Sequence, residues 1–264
     1  MDNYKSYKNK MKVVILAGGF GTRISEESHM KPKPMIEIGG KPILLHIMEI
    51  YSKYGFKDFI ICAGYKQEMI KSYFSQYGLY ESDLRVNLAT NELTYLNSSH
   101  KDWTITIVNT GLETMTGGRV KAISHLIDDE NFLLTYGDGV SDVDLDAVIN
   151  LHIKNRPTVT LTAIQPGGRY GKLGFQGTNN ISSFEEKRKE DGGWINGGFM
   201  VVNKKIFEII EGSHTVLEQE PLKKLAESSQ LVAYKHHGFW QSMDTLRDKI
   251  SLEELISKNE APWI

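Results

Sequence analysis

The chain has 264 residues, 40% hydrophobic and 24% charged, the make-up of an ordinary water-soluble folded protein. Its formal net charge of −2 gives no support to a general nucleic-acid or membrane partner. The single cysteine, Cys62, excludes an internal disulfide, no apolar run reaches the length of a membrane span, and residues 1–10 lack the apolar centre of a secretory signal. The expectation is a cytoplasmic protein with a flexible polar tail over 1–10 and one domain over 11–264.

The first predicted element is the most informative. Val13–Ala17 is a short, wholly apolar run, the mark of a buried strand. It runs into Gly18-Gly19-Phe20-Gly21, then Thr22-Arg23, and soon after Lys31 and Lys33, each beside a proline. A strand that feeds a glycine-rich turn brings bare backbone N–H groups close to a ligand, most often a phosphate. No Walker A spacing occurs, and Thr22-Arg23 stand where a dinucleotide fingerprint continues toward its third glycine. A plain tight turn is the alternative. It does not need three nearby cations, two of them on a segment stiffened by proline. The segment therefore points to a nucleoside triphosphate site.

Next, Pro42 fits the N1 position of a helix whose Ile43, Ile47, Ile50 and Tyr54 share one face. The strand Asp58–Ala63 follows, with Cys62 as a small core residue. A second helix is expected over Gln67–Tyr77 and a strand over Thr104–Val108. A third helix is expected after Thr116-Gly117-Gly118. Arg119 at its start is either an anion contact or an exposed helix residue. The strand Phe132–Tyr136 leads into Gly137-Asp138-Gly139. A fourth helix runs from after Ser141-Asp142 to about Asn155, and a strand covers Val159–Ile164. Short strand-like pieces follow at Gly171–Phe175 and Ile181–Glu185, then Trp194–Val202, with its strand at Gly198–Val202. Leu231–Tyr234 is the last strand, and Thr245-Leu246-Arg247-Asp248 fits a capping box before the final helix.

This alternation predicts an α/β fold: a Rossmann-like, mostly parallel sheet with helices on both faces, and a smaller irregular region in the second half. In such sheets the site lies beyond the C-terminal ends of the strands. The glycine loop, Tyr136–Gly139 and Asn196-Gly197-Gly198 fall there.

Asp138, flanked by glycines at a strand end, suits a divalent metal or an ordinary Asp-Gly turn. Asp244 is either a helix cap or a second metal carboxylate. Two carboxylates beside a triphosphate loop are enough for magnesium. Asn196 can both donate to and accept from sugar hydroxyls, although its glycines also mark a β-bulge. Glu186-Lys187-Arg188-Lys189 has the form of a solvated charge run. His236 and His237, adjacent on a strand, point to opposite faces and make no metal pair.

The motifs L-A-G-G-x-G-T-R…K-P-K-P-M, Y-G-D-G-V, I-N-G-G-F and F-W-Q-x-M-D-T-L-R-D-K together resemble the sugar-1-phosphate nucleotidyltransferases over nearly the whole chain. Met115–Arg119, Tyr136–Val140 and Phe239–Lys249 resemble their cytidylyl branch in particular. The resemblance implies that CTP and glucose 1-phosphate are converted to CDP-glucose, a precursor for deoxysugars and polysaccharides, and pyrophosphate. It implies a nucleotide site over Leu16, Ala17, Gly18, Gly19, Gly21, Thr22 and Arg23, with Lys33 on the phosphates and Thr114 and Arg119 nearby. Arg23, Lys33 and Asp138 would carry catalysis, and Asp138 and Asp244 would hold Mg²⁺. Lys187, Asn196 and Gly197 would meet the sugar phosphate, and identical chains would assemble. Ser242, Arg188 and the loop Gly167–Gly171 depart from the branch's pattern. The competing readings are a UTP or dTTP enzyme or one for another sugar phosphate, a nucleotide-sensing regulatory protein, and an NAD-binding oxidoreductase.

Overall fold

The computed structural model describes residues 11–21, 24, 29–97, 101–166, 172–176, 180–185 and 193–264, the segments 172–176 and 180–185 by backbone alone. The expected tail over 1–10 lies outside the described residues.

The seven strands expected from the sequence form one sheet: β1 (Val13–Ala17), β2 (Asp58–Ala63), β3 (Thr104–Asn109), β4 (Asn131–Tyr136), β5 (Val159–Ile164), β6 (Ile195–Asn203) and β7 (Leu231–His236), in the order β7-β5-β6-β4-β1-β2-β3. All run parallel except β6, which is antiparallel to both β4 and β5. The fold is thus the expected mostly parallel α/β sheet.

Strand alternation splits the core between the two faces. Val13, Ile15, Ala17, Phe59, Ile61, Ala63, Leu133 and Val201 pack on one side. Val14, Leu16, Ile60, Cys62, Phe132, Leu134 and Val202 pack on the other. Because both faces are covered, every residue of β1 is buried, which explains its unbroken apolar run. Burial pushes the Cys62 thiol up to about 12, in keeping with a core residue rather than a reactive one.

The helices are α1 (Ile43–Lys53), α2 (Gln67–Ser75), α3 (Tyr77–Glu81), α4 (Thr116–Ala122), α5 (Leu145–Asn155), α6 (Ile206–Ile209), α7 (Glu220–Glu227) and α8 (Leu246–Ser257). Two starts differ from expectation. Pro42 is extended and caps α1 from outside, because Lys41–Pro42 pairs as a short strand with Glu37–Ile38. Gly117 and Gly118 lie inside α4, not before it. A Cβ on Gly118 would come within 2.5 Å of the Ser213 carbonyl oxygen, so these glycines permit close packing of helix on loop. The fourth helix starts after Ser141-Asp142 and ends at Asn155, as expected, with the Asp144 carboxylate accepting from Ala147 N–H at 3.0 Å. The second predicted helix ends before Gln76, and α3 follows it. Helix α8 starts with the predicted box: Thr245 accepts from Asp248 N–H, and Asp248 accepts from Thr245 N–H at 2.8 Å.

Four short antiparallel ladders complete the structure: 37–38 with 41–42, Asp83–Asn87 with Glu92–Leu96, Gly139–Ser141 with Trp240–Ser242, and Lys172–Gln176 with Asn180–Glu185. The last is the irregular second-half region expected from the sequence. No helix among the described residues is long and apolar enough to cross a membrane.

Candidate active site

From β1 the sheet order runs one way through β2 and β3 and the other way to β4, so a crevice opens between the ends of β1 and β4. A cleft of about 700 Å³ lies there, lined by Leu16–Gly21, Lys33, Leu112–Thr116, Arg119, Tyr136–Asp138 and Asp244 among others. Its size suits a small-molecule ligand.

The glycine loop is built on a buried cation. Arg119, 4% exposed, donates from Nη2 to the carbonyls of Gly18 (2.9 Å) and Leu112 (3.2 Å). Its Nη1 donates to Thr110 Oγ1 and the Gly111 carbonyl, both at 2.7 Å, and to the Ala63 carbonyl at 3.3 Å. The exposed-residue reading of Arg119 is therefore overturned. Its guanidinium ties the ends of β1, β2 and β3 together, and burial lowers its pKa without a carboxylate among these five acceptors. Gly18 is glycine because a Cβ there would lie 2.1 Å from Arg119 Nη1, whereas Gly19 faces open space. The first glycine serves the clamp beneath the loop, and the second leaves the cleft side bare for a ligand.

At the other end three charges meet. Lys33 sits on a short 3-10 turn, Lys33–Met35, between Pro32 and Pro34. Its ammonium donates to Asp138 Oδ2 at 2.6 Å and to Asp244 Oδ1 at 2.8 Å. The two aspartates are brought together by the ladder 139–141 with 240–242 and by Met243 N–H on the Asp138 carbonyl at 2.8 Å. Burial alone would lower the pKa of Lys33, but the charges and hydrogen bonds of Asp138 and Asp244 raise it. Lys33 is 12% exposed, Asp138 30% and Asp244 26%, so the carboxylates remain open to the cleft.

Thr245 caps α8, so the capping alternative for Asp244 fails and its carboxylate is left to the cleft. Ser242 donates to Asp244 Oδ2 at 2.8 Å, fixing a group that a proline at 242 could only have stiffened. Two carboxylates face one ammonium and leave net negative charge. Oxygen donors of that number fit a magnesium ion that takes its remaining ligands from phosphate and water.

Leu16, Ala17, Gly18, Gly19, Gly21, Lys33, Thr114, Arg119, Asp138 and Asp244 thus all border one cleft. Asn196 and Gly197 lie on β6 beside it. Asn196 Nδ2 donates to the Tyr136 phenol at 3.3 Å, and its Oδ1 accepts from Gly198 N–H at 2.9 Å. The bulge that the glycines suggested is present as well, a register shift between β5 and β6. Lys31 pairs with Glu37 at 2.5 Å and is not among the cleft cations. Thr22, Arg23, Lys187, Arg188, Lys189 and the loop 167–171 lie outside the described residues.

Glu218, which accepts from Tyr136 and Thr116 at the cleft rim, was not legible in sequence, since it stands in a stretch without periodic pattern. Ser141, Asp142 and His236 also meet, but all on the same ring nitrogen, Nε2, so they form no proton relay.

Residues 12–256 match the nucleotidyl transferase family. The glucose-1-phosphate cytidylyltransferase of Salmonella typhi is 52% identical over 254 residues, covering 96% of this chain and 98% of that protein. A probable glucose-1-phosphate cytidylyltransferase of Bacillus subtilis is 40% identical, with coverage of 96% and 99%. The crystal structure of HddC from Yersinia pseudotuberculosis complexed with GMP-PN superposes with a TM-score of 0.68 at 23% identity, covering 93% of this chain and 99% of that one, and so shares the fold. With its crevice at the strand-order reversal and its match over almost the full length, the chain belongs to the nucleotidyl transferase family and groups within it with the glucose-1-phosphate cytidylyltransferases.

Proposed function

We propose that this chain transfers the cytidylyl group of CTP to glucose 1-phosphate, yielding CDP-glucose and pyrophosphate, with Mg²⁺. The observation that carries the reading is the meeting of Lys33, Asp138 and Asp244 at the mouth of β1 and β4, opposite the clamped glycine loop.

The attacking atom is a phosphate oxygen of the sugar 1-phosphate. It forms a bond to the α-phosphorus of CTP while the bond to the β-phosphate bridge oxygen breaks. That oxygen is already anionic, so no general base is needed, and the absence of a proton relay at His236 is no obstacle. The barrier is repulsion between anions and the charge gathering on pyrophosphate, so positioning and electrostatics supply the catalysis. The bare amides of the glycine loop seat the triphosphate, and Lys33 with Arg23 meets the leaving pyrophosphate. Asp138 and Asp244 would hold Mg²⁺, which supplies positive charge to the phosphates. Asn196, Gly197 and Lys187 would hold the sugar phosphate, with Asn196 already oriented by Tyr136 and Gly198.

Residues 11–264 would act as one domain, in the cytoplasm, in an assembly of identical chains. The assembly is supported by the hairpin 83–96, whose Leu84, Val86, Leu93 and Tyr95 are 39–49% exposed on one face. A lone two-stranded hairpin has little stability of its own in water.

Pyrophosphate release over a matrix of the four NTPs and several sugar 1-phosphates tests the reading. CTP with glucose 1-phosphate is expected to give the highest kcat/KM. A preference for UTP or dTTP would replace the cytidylyl assignment while leaving the family intact.

A further inference from the structure

A line of side-chain hydrogen bonds crosses the rim of the cleft and ends on Asn196. It begins at Glu218, an exposed carboxylate in the loop before α7. Glu218 Oε2 accepts from Thr116 Oγ1 at 2.6 Å, and Oε1 accepts from the Tyr136 phenol. Thr116 Oγ1 also accepts from Leu217 N–H at 2.9 Å, so two consecutive residues grip the first turn of α4. The phenol oxygen in turn accepts from Asn196 Nδ2 at 3.3 Å, and Asn196 Oδ1 takes the Gly198 N–H at 2.9 Å. Gly198 has φ +86°, and a Cβ there would lie 2.6 Å from the Tyr136 ring, so ring and asparagine turn are fitted to one another.

We infer that Glu218 is a positioning residue for the sugar-phosphate half of the site, holding Asn196 in place through the Tyr136 phenol. An ionised carboxylate can only accept, so the phenol must spend its one proton on Glu218. Its oxygen is then left as an acceptor, and Asn196 Nδ2 is drawn to it. The Asn196 amide is thereby held at both ends, with its second N–H and remaining carbonyl lone pair free for a ligand. Without Glu218 the phenol proton can turn elsewhere, and Asn196 keeps only the Gly198 tether. Thr116, on the nucleotide side, retains Leu217 N–H in either case. The effect therefore falls on one substrate and not the other. This inference rests on the proposed assignment of Asn196 to the sugar phosphate.

The test is steady-state kinetics with each substrate varied in turn. Glu218→Ala is expected to raise KM for glucose 1-phosphate up to about tenfold while KM for CTP moves less than about twofold, the scale of one lost hydrogen bond. Tyr136→Phe keeps the ring and should reproduce this change, and the double variant should be no worse than either single one. Glu218→Gln, whose amide oxygen still accepts from the phenol, should stay near wild type. Equal rises in both KM values, or additive effects in the double variant, would show a merely structural role and overturn the inference. Asn196→Ala separates the two levels. If it raises KM for glucose 1-phosphate while Glu218→Ala behaves as wild type, the inference fails and the sugar assignment stands. If Asn196→Ala leaves that KM unchanged, the sugar assignment itself fails and takes the inference with it.

Discussion

The two ends of the cleft each hold a cation, and they hold it in opposite ways. Arg119 lies under the glycine loop with its guanidinium spent on four backbone carbonyls and a hydroxyl. Lys33 lies across the cleft with its ammonium on two part-exposed carboxylates. Backbone carbonyls cannot leave a folded strand end, so the charge of Arg119 is locked into the architecture. Carboxylates can exchange one cation for another, so the Lys33 end is the one that can reorganise around a ligand. A positive charge in a cleft is therefore not by itself a ligand contact. What it is already bound to decides whether it shapes the site or acts in it.

The carboxylates at the Lys33 end should respond most strongly to substitution. Asp138→Asn and Asp244→Asn are each expected to cut kcat by about a hundredfold or more. Because the two converge on one point, the double variant should be little worse than either single one. Raised Mg²⁺ should restore part of the rate. Full activity in either single variant would mean that the carboxylates only anchor Lys33.

Arg119 should respond in stability. Arg119→Lys replaces a planar, five-donor group by a compact ammonium with three donors, which cannot reach all these acceptors. The cost is expected to be roughly 2–3 kcal/mol, from buried carbonyls left unpaired, read as a lower denaturation midpoint. If stability is unchanged and only KM for CTP rises, Arg119 is a ligand contact after all. Lys33→Ala should do the reverse, lowering kcat about ten- to a hundredfold through lost charge on the departing pyrophosphate. A KM effect for CTP with kcat intact would assign Lys33 to ground-state binding.

The same contrast explains what was legible in the sequence. The seven strands, the site at their ends and the pairing of Asp138 with the glycine loop all rest on local signals: apolar runs, glycines after strands, prolines around Lys33. The roles of Gly18, Gly117 and Gly118 were not legible, since each is glycine because of a group far along the chain. Gly18 meets Arg119, and Gly118 meets Ser213. Glu218 was hidden for the same reason, as its partners Thr116 and Tyr136 come from other elements. The meeting of Asp138 with Asp244 is also long-range, but the family resemblance had set both on one metal; that Lys33 bridges them was not legible, since the same resemblance set Lys33 on the phosphates. Helices α6 and α7 carried no clear signal: one is a single turn, and the other begins with Glu220-Pro221 in a mostly polar stretch.

The smallest expected effect is the one that isolates Asp244 from its neighbour. Asp244 and Thr245 are adjacent, and either could have capped α8. The structure gives the cap to Thr245, whose hydroxyl accepts from Asp248 N–H at 3.3 Å, and the cleft to Asp244. Thr245→Ala removes one cap, so it should cost about 1 kcal/mol of stability. Asp248 still accepts from the backbone N–H groups of residues 244 and 245, at 3.1 and 2.8 Å, so the turn should keep its course. Asp244 would then stay on Lys33, and kcat should be unchanged at temperatures below the melt. Asp244→Asn should give the mirror image, a large fall in kcat with a small change in the melting temperature. A thermal melt beside a rate measurement on both variants decides the matter. If Thr245→Ala lowers kcat as much as Asp244→Asn does, the cap and the carboxylate act as one unit, and the division between architecture and action fails at this turn.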